Sequence, residues 1–312
     1  MLELQQELPA VTLVERQMSP RCILCDVECA PFSDEVSDFE YGVEHVSALV
    51  MCPKCGLVTH DPPIGPDEVP ALYPENYLAH SAGSSGDKSI YAKLKKVLAK
   101  RAARQIVACI PQNGVFLEVG CGNCHLIKML ADLRPDISFI GVDIEKVDVG
   151  DLSRFTFVHG QFETSDVSPH SADLIYCSNL IEHVPDPRKF LAKCTQSLKQ
   201  GGTLHGVTPN HLSVDRFVFG KYWAGYHYPR HTFVFNHRNL KKLLVTEGFV
   251  DSRITGSYSF WYLSLANRFL TLPGSKKRGL AFAAVTAAFL PIDLLLNMFT
   301  CHGSMTFVAK AK

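Results

Sequence analysis

Apolar and polar residues follow two periods along most of this chain. Val115–Val119 is a short apolar run closed by Gly120-Cys121-Gly122, and a helical stretch follows from about Cys124 to Leu133. Phe139–Asp143, Phe155–His159 and Ala172–Cys177 read as the next strands. A helix is expected over Lys88–Cys109, ended by Pro111, and another over Asp186–Leu198, stopped by Gly201-Gly202. Thr203–Thr208 is a fifth strand, Asn239–Glu247 a helix ended by Gly248, Phe249–Thr255 a sixth strand and Met305–Ala309 a seventh. Strands alternating with helices predict an α/β fold with a mostly parallel sheet, its ligands at the C-terminal strand ends.

Three stretches fall outside this rhythm. Residues 20–60 hold Cys22-x-x-Cys25 and Cys52-x-x-Cys55. Residues 61–90, rich in Pro, Gly and Ser, read as a linker to an α/β domain over 91–312. Within that domain, about 258–302 form an apolar insert far longer than usual connections. Gly279–Thr300 is long enough to cross a bilayer, but Met305–Ala309 must return to the same sheet, and Pro291 and Asp293 interrupt the run. Three uses remain open. They are an interfacial hairpin flanked by Lys276-Lys277-Arg278, with peripheral membrane contact through 276–300; a homodimer contact; or a helix packed on its own domain.

Composition narrows the class. Hydrophobic residues are 46%, enough for a sizeable core, and 31 basic residues balance 31 acidic ones. No global positive field exists to hold nucleic acid. Residues 1–19 carry early acids and no continuous apolar run, so a cytoplasmic chain without paired disulfides is expected. Its eleven cysteines then read as metal ligands where clustered and as small buried residues elsewhere. Two Cys-x-x-Cys pairs can bind one tetrahedral ion, so Cys22, Cys25, Cys52 and Cys55 are expected to hold Zn2+. Such a closed site has no open position for catalysis; it can shape a pocket or recruit a partner. Cys29, His45 and His60 are read as structural.

The turn after the first α/β strand points to a cofactor. His125 stands where a dinucleotide fingerprint needs its third glycine, and Glu118 would repel a phosphate. Glu118 suits an ammonium group instead, and Asp143, closing the second strand, can accept both hydroxyls of a ribose. At Phe116–Gly122, Gly141-Val142-Asp143 and Ala172–Pro187 the chain resembles class I S-adenosylmethionine (SAM)-dependent methyltransferases, over roughly 90–257. The resemblance implies a Rossmann-like seven-stranded domain preceded by a small zinc ribbon. It places Gly120 and Gly122 at the methionine portion of SAM, Asp143 at the ribose, Gln161, Phe162 and Glu163 at the adenine, and Asn179 at the cofactor's edge. Cys124 stands where the family often has glycine.

Catalytic candidates follow the fourth and fifth strands. Glu182-His183 reads either as a loop bordering SAM or as a reacting group. Some relatives bind a divalent metal through Glu-x-x-Glu-His; here Asn179 replaces the first acid. The run Tyr222–His231 interleaves aromatics with His227, Arg230 and His231, which suits an acceptor pocket as well as a lid. It resembles a Trp…Pro-Arg-His segment in a subgroup with zinc-ribbon heads, often associated with glycans. His231 is the expected base or acceptor-orienting residue. A hydroxyl of a sugar or lipid-linked glycan is therefore the leading acceptor. An RNA methyltransferase gripping its substrate through the ribbon, and a non-catalytic SAM-binding scaffold, are the alternatives.

Overall fold

The computed structural model describes residues 20–33, 36–45, 47–74, 100–146, 150, 152–269, 285, 288–289, 291–293, 295–296 and 301–312. The cysteine-rich head contributes β1 (Ala30–Ser33), β2 (Ala48–Met51) and β3 (Val58–Asp61). The α/β domain contains β4 (Val115–Val119), α1 (His125–Leu133), β5 (Ser138–Asp143), β6 (Phe155–His159), β7 (Ala172–Ser178), α2 (Pro187–Ser197) and β8 (Leu198–Pro209). Then come α3 (Val214–Phe219), β9 (Phe233–Val234), α4 (His237–Thr246), β10 (Phe249–Gly256), α5 (Trp261–Phe269) and β11 (Ser304–Ala311).

Seven strands form one sheet in the order β10-β11-β8-β7-β4-β5-β6. The pairs from β8 to β6 are parallel, whereas β11 runs antiparallel to both neighbours. This is the class I methyltransferase fold. The chain leaves β4 toward β5 and β6, then returns to add β7 on β4's other side. A crevice therefore opens at the C-terminal ends of β4 and β7, where such sheets bind ligands.

Local chemistry sets the boundaries. Asp186 caps α2 by accepting from the Arg188 and Lys189 amides, with Pro187 in the first turn. Asn236 and Asn239 form a reciprocal capping box on α4. Gly201-Gly202 does not separate α2 from a strand, as expected; it lies inside β8. Pairing jumps from Ala172–Leu198 to Leu174–Thr203, so the glycines form a bulge in a strand five residues longer at its start. Gly206 on β8 faces Phe307 on β11, and any Cβ there would meet that ring at 2.2 Å.

The head is not a separate body. Its sheet runs β1-β2-β3-β9, so its fourth strand comes from the α/β domain. The expected linker is packed over its described part: Leu72 is buried, within a 3-10 turn over Val69–Leu72. The rest of it, 75–90, and the first part of the helix expected over Lys88–Cys109 lie outside the described residues, which show a helical stretch from 100.

Lys276-Lys277-Arg278 and most of Gly279–Thr300 also lie outside the described residues. Where the insert is described it packs on α5. The Trp261 indole N–H donates to Asp293 at 2.9 Å, and its ring stacks on Phe289 at 4.7 Å. Among the described residues no helix is long and apolar enough to cross a membrane.

Candidate active site and thiolate cluster

The turn Glu118–Cys124 joins β4 to α1. Gly120, Gly122 and Cys124 all have positive φ, at 71°, 48° and 54°. Gly122 has open space where a Cβ would stand, leaving room for a ligand against the main chain. Its amide donates to Asp143 Oδ2 at 2.7 Å, which ties the turn to the end of β5. Glu118 is buried, and its Oε2 has no hydrogen-bond partner among the described residues. Burial raises its pKa well above the ordinary carboxylate value, with Cys124 and Asp143 adding to the effect. The ammonium of a bound SAM would supply the missing partner, so the residues present fit the cofactor. Asp143 closes β5, half-buried, and also accepts the Glu145 amide at 3.0 Å.

The adenine candidates divide. The Phe162 ring is in the core, 5.8 Å from Phe190, while Gln161 and Glu163 stay half-buried on either side of it. Asn179 is exposed at the end of β7 and meets the Tyr258 hydroxyl at 3.4 Å.

The three candidate histidines come together. The ring centroid of His183 lies 4.5 Å from that of His231 and 6.1 Å from that of His227. Their roles differ by hydrogen bonding. His227 uses both nitrogens: Nε2 accepts from Arg230 at 2.9 Å, and Nδ1 lies 3.3 Å from Glu40. His231 is buried, with Nδ1 held by the Gly225 carbonyl at 2.9 Å. Its Nε2 is 4.0 Å from Glu182 Oε1, an atom with no hydrogen-bond partner among the described residues. His183 is only half-buried, and its Nδ1 is engaged by the Arg230 carbonyl at 3.1 Å and the Tyr73 hydroxyl at 2.9 Å.

Burial pushes His183 down to about 3, aided by His227, and lowers His231 well below its ordinary value. Both are neutral near pH 7. Burial also pushes Glu182 up to about 8, although Thr208 donates to its Oε2 at 2.8 Å. Ligating atoms of Glu182, His183 and His231 lie within 4.8 Å of one another, a spacing that one divalent ion or one shared proton can bridge.

Sequence reasoning read His60 as structural but missed the other residues that hold this cluster, because they come from the head and the expected linker. Asp38 clamps Arg230 with bonds of 2.8 and 2.9 Å, both side chains almost fully buried at 1% and 0% exposure. His60 bonds the His231 carbonyl at 2.9 Å and stacks on Tyr228. Burial lowers His60 to about 4, so it is a neutral structural group. Glu40 and Tyr73 complete the set. The sequence separations, 192 residues for Asp38 and Arg230 among them, leave no local motif.

The four head cysteines also converge, their sulfurs within 4.8 Å of one another. Two matching turns deliver them. Asp26 and Gly56, each following the second cysteine of a pair, have φ of 52° and 70°. Each donates its amide at 2.9 Å to the carbonyl of the first cysteine. This geometry suits one tetrahedral thiolate-bound ion.

The Methyltransferase domain family matches residues 90–252. The chain belongs to this family. Residues 90–252 are its methyltransferase domain. A ubiquinone biosynthesis O-methyltransferase of Vibrio cholerae is 28% identical over 118 residues, 34% of this chain and 48% of that protein. The Xanthomonas campestris protein of the same name is 35% identical over 101 residues, 30% of this chain and 42% of that protein. The chain thus spans about half the length of those relatives. A SAM-dependent methyltransferase from Archaeoglobus fulgidus has a TM-score of 0.46 at 19% identity, covering 71% of this chain and all of the other. Phosphoethanolamine N-methyltransferase 2 of Haemonchus contortus, in complex with SAM, has a TM-score of 0.46 at 16% identity, covering 72% of this chain and 60% of the other.

Asp143→Ala in this methyltransferase is expected to weaken SAM binding by about 1.5–3 kcal/mol, roughly tenfold or more. Calorimetric titration measures this directly. An unchanged affinity would remove Asp143 from the cofactor site.

Proposed function

We propose that this methyltransferase transfers the SAM methyl group to a hydroxyl oxygen of a small-molecule acceptor, a sugar or lipid-linked glycan, with His183 as proton acceptor. The observation that carries this reading is the division of labour among the histidines. His227 is fully engaged and His231 is buried, so the half-buried His183 is the one able to meet an acceptor. His231 orients it from behind, and Tyr73 and the Arg230 carbonyl fix its Nδ1.

Bound SAM supplies an electrophilic methyl on a positive sulfonium. An oxygen that takes this methyl becomes an oxonium, a strong acid, so a weakly basic neutral imidazole suffices to remove its proton. The protein's contribution is to orient the hydroxyl and exclude water. The O-methyltransferase names of the relatives support an oxygen acceptor. Tyr41 and Tyr73 beside the cluster suit a ring substrate. Exposed Phe217, Val218 and Phe269, on the mutually packed α3 and α5, together with exposed Leu295, support a lipid-bearing acceptor and peripheral membrane contact. For the head we propose one Zn2+ on Cys22, Cys25, Cys52 and Cys55, the usual ion for four thiolates.

The test is an acceptor screen beginning with sugars and lipid-linked glycans, followed by His183→Ala. Loss of a general base should lower kcat by roughly 10²–10⁴-fold, with SAM affinity retained. Turnover equal to that of the unaltered protein would sink the assignment.

A further inference from the structure

The cofactor turn contains a feature that methyl transfer does not use. Cys121-Gly122-Asn123-Cys124 is a third Cys-x-x-Cys, far from the head and at the start of α1. Its sulfurs lie 3.5 Å apart. The Cys124 amide donates to the Cys121 carbonyl at 2.8 Å, closing a four-residue turn. Such a turn keeps its end Cα atoms within about 7 Å, close to the range that a disulfide spans. Neither cysteine belongs to the thiolate cluster of the head.

We propose that Cys121 and Cys124 are a reversible oxidation site, closed to a disulfide by hydrogen peroxide, and that closing it weakens SAM binding. The effect on SAM rests on reading this turn as the cofactor site; formation of the disulfide does not. The chemistry balances without another reactant. One thiolate attacks peroxide, its O–O bond breaks, and a sulfenic acid and hydroxide form. The second thiol attacks the sulfenic sulfur, forming the S–S bond and expelling hydroxide, which leaves as water with the thiol protons. In total, two thiols lose two hydrogens and one peroxide becomes two waters.

The surroundings favour this pair over the isolated thiols. The hydrogen bond between the sulfurs holds Cys124 below the ordinary cysteine value and pushes Cys121 above it. Cys124 also sits at a helix N-terminus, which favours a thiolate. Cys124 itself is fully buried, so peroxide meets the pair at Cys121, which keeps 6% exposure beside the exposed Gly120 and can pass its proton to Cys124 across their hydrogen bond.

The link to the cofactor is mechanical. A disulfide needs about 2.0 Å between sulfurs, so the present 3.5 Å must shorten. Cys124 is anchored in the core and begins α1. Cys121 Sγ rests against Gly141, where an added Cβ would lie only 2.9 Å away. With both ends packed, the intervening Gly122 and Asn123 must take up the motion. Gly122 then pulls away from Asp143, the residue expected at the ribose.

The experiment uses the full-length, metal-loaded chain with a small excess of peroxide. Disulfide formation removes two hydrogens from the tryptic peptide 105–128 and suppresses backbone fragments between 121 and 124. Calorimetry should show SAM affinity at least tenfold lower, restored by dithiothreitol. SAM should slow the oxidation and raise the midpoint potential by about 30 mV per tenfold of affinity difference, since the coupling is reciprocal. Cys121→Ala, compared with its own reduced form, should lose this sensitivity while retaining the head cysteines.

Three outcomes overturn the proposal. They are a peptide that stays reduced or passes to sulfinic acid, a disulfide with unchanged SAM affinity, and an equal loss of affinity in oxidised Cys121→Ala. If the reduced protein binds no SAM, the cofactor reading fails, and the mass readout still decides whether the disulfide forms.

Discussion

Asp38→Ala should lower the free energy of unfolding by about 3–5 kcal/mol, because it leaves the Arg230 guanidinium buried without its counter-charge. The pair is bidentate, at 2.8 and 2.9 Å, and almost fully buried. Burial acts to raise the Asp38 pKa, but the Arg230 hydrogen bonds and charge outweigh it and hold the carboxyl below its ordinary value. The stabilisation is therefore complete above the unfolded Asp pKa and fades as pH falls through the native value. Denaturant unfolding at neutral pH measures the loss. Replacing both partners, as in Asp38→Leu with Arg230→Met, should recover much of it, since two apolar groups leave no unpaired charge. A single substitution costing under about 1 kcal/mol would show that the pair is solvated. Catalysis should suffer too, because Arg230 holds His227 through Nε and His183 through its carbonyl.

Chelating the metal proposed for the head should abolish turnover while leaving SAM binding largely intact. Structural zinc in small peptides contributes about 10–16 kcal/mol of apparent binding free energy, as much as a whole domain's stability of about 5–15 kcal/mol. Without it, the two cysteine turns that flank β1–β3 lose their common anchor. β9 would lose its partner β3, and the loop 227–234 would lose Asp38, Glu40 and His60 together. Glu118, Gly122 and Asp143 depend on β4 and β5, whose neighbours lie within the seven-stranded sheet. Metal content, turnover and SAM titration measured on one preparation separate these effects. Full turnover after complete metal release would break the proposed coupling between head and site. Loss of SAM binding at the same dose would mean that the head supports the entire sheet.

Most of the α/β domain was legible in the sequence because its signals are local. Buried parallel strands are short apolar runs, and Asp186-Pro187 and Gly248 mark helix ends through backbone chemistry alone. The same holds for the cofactor turn, whose Gly120, Gly122 and Asp143 sit within one βαβ unit. Gly201-Gly202 shows where local reading fails. A glycine pair stops a helix or makes a bulge with equal ease, and only pairing with β7 chose the bulge. The apolar insert gave no local sign that its lone acid, Asp293, would pair with Trp261.

The histidine cluster divides the same way. The sequence by itself determined the fold, the cofactor turn, two cysteine pairs and a histidine-rich loop, since each depends on residues close enough along the chain to leave a pattern. Tertiary structure alone decided that the head lends its sheet to β9 and that Asp38 is the counter-charge of Arg230. It also decided that Tyr73 bonds His183, and that His183 is half-buried where His231 is buried. The physical reason is that a buried charge or an oriented imidazole needs only one partner with suitable chemistry within about 3 Å, and sequence distance places no limit on which residue supplies it.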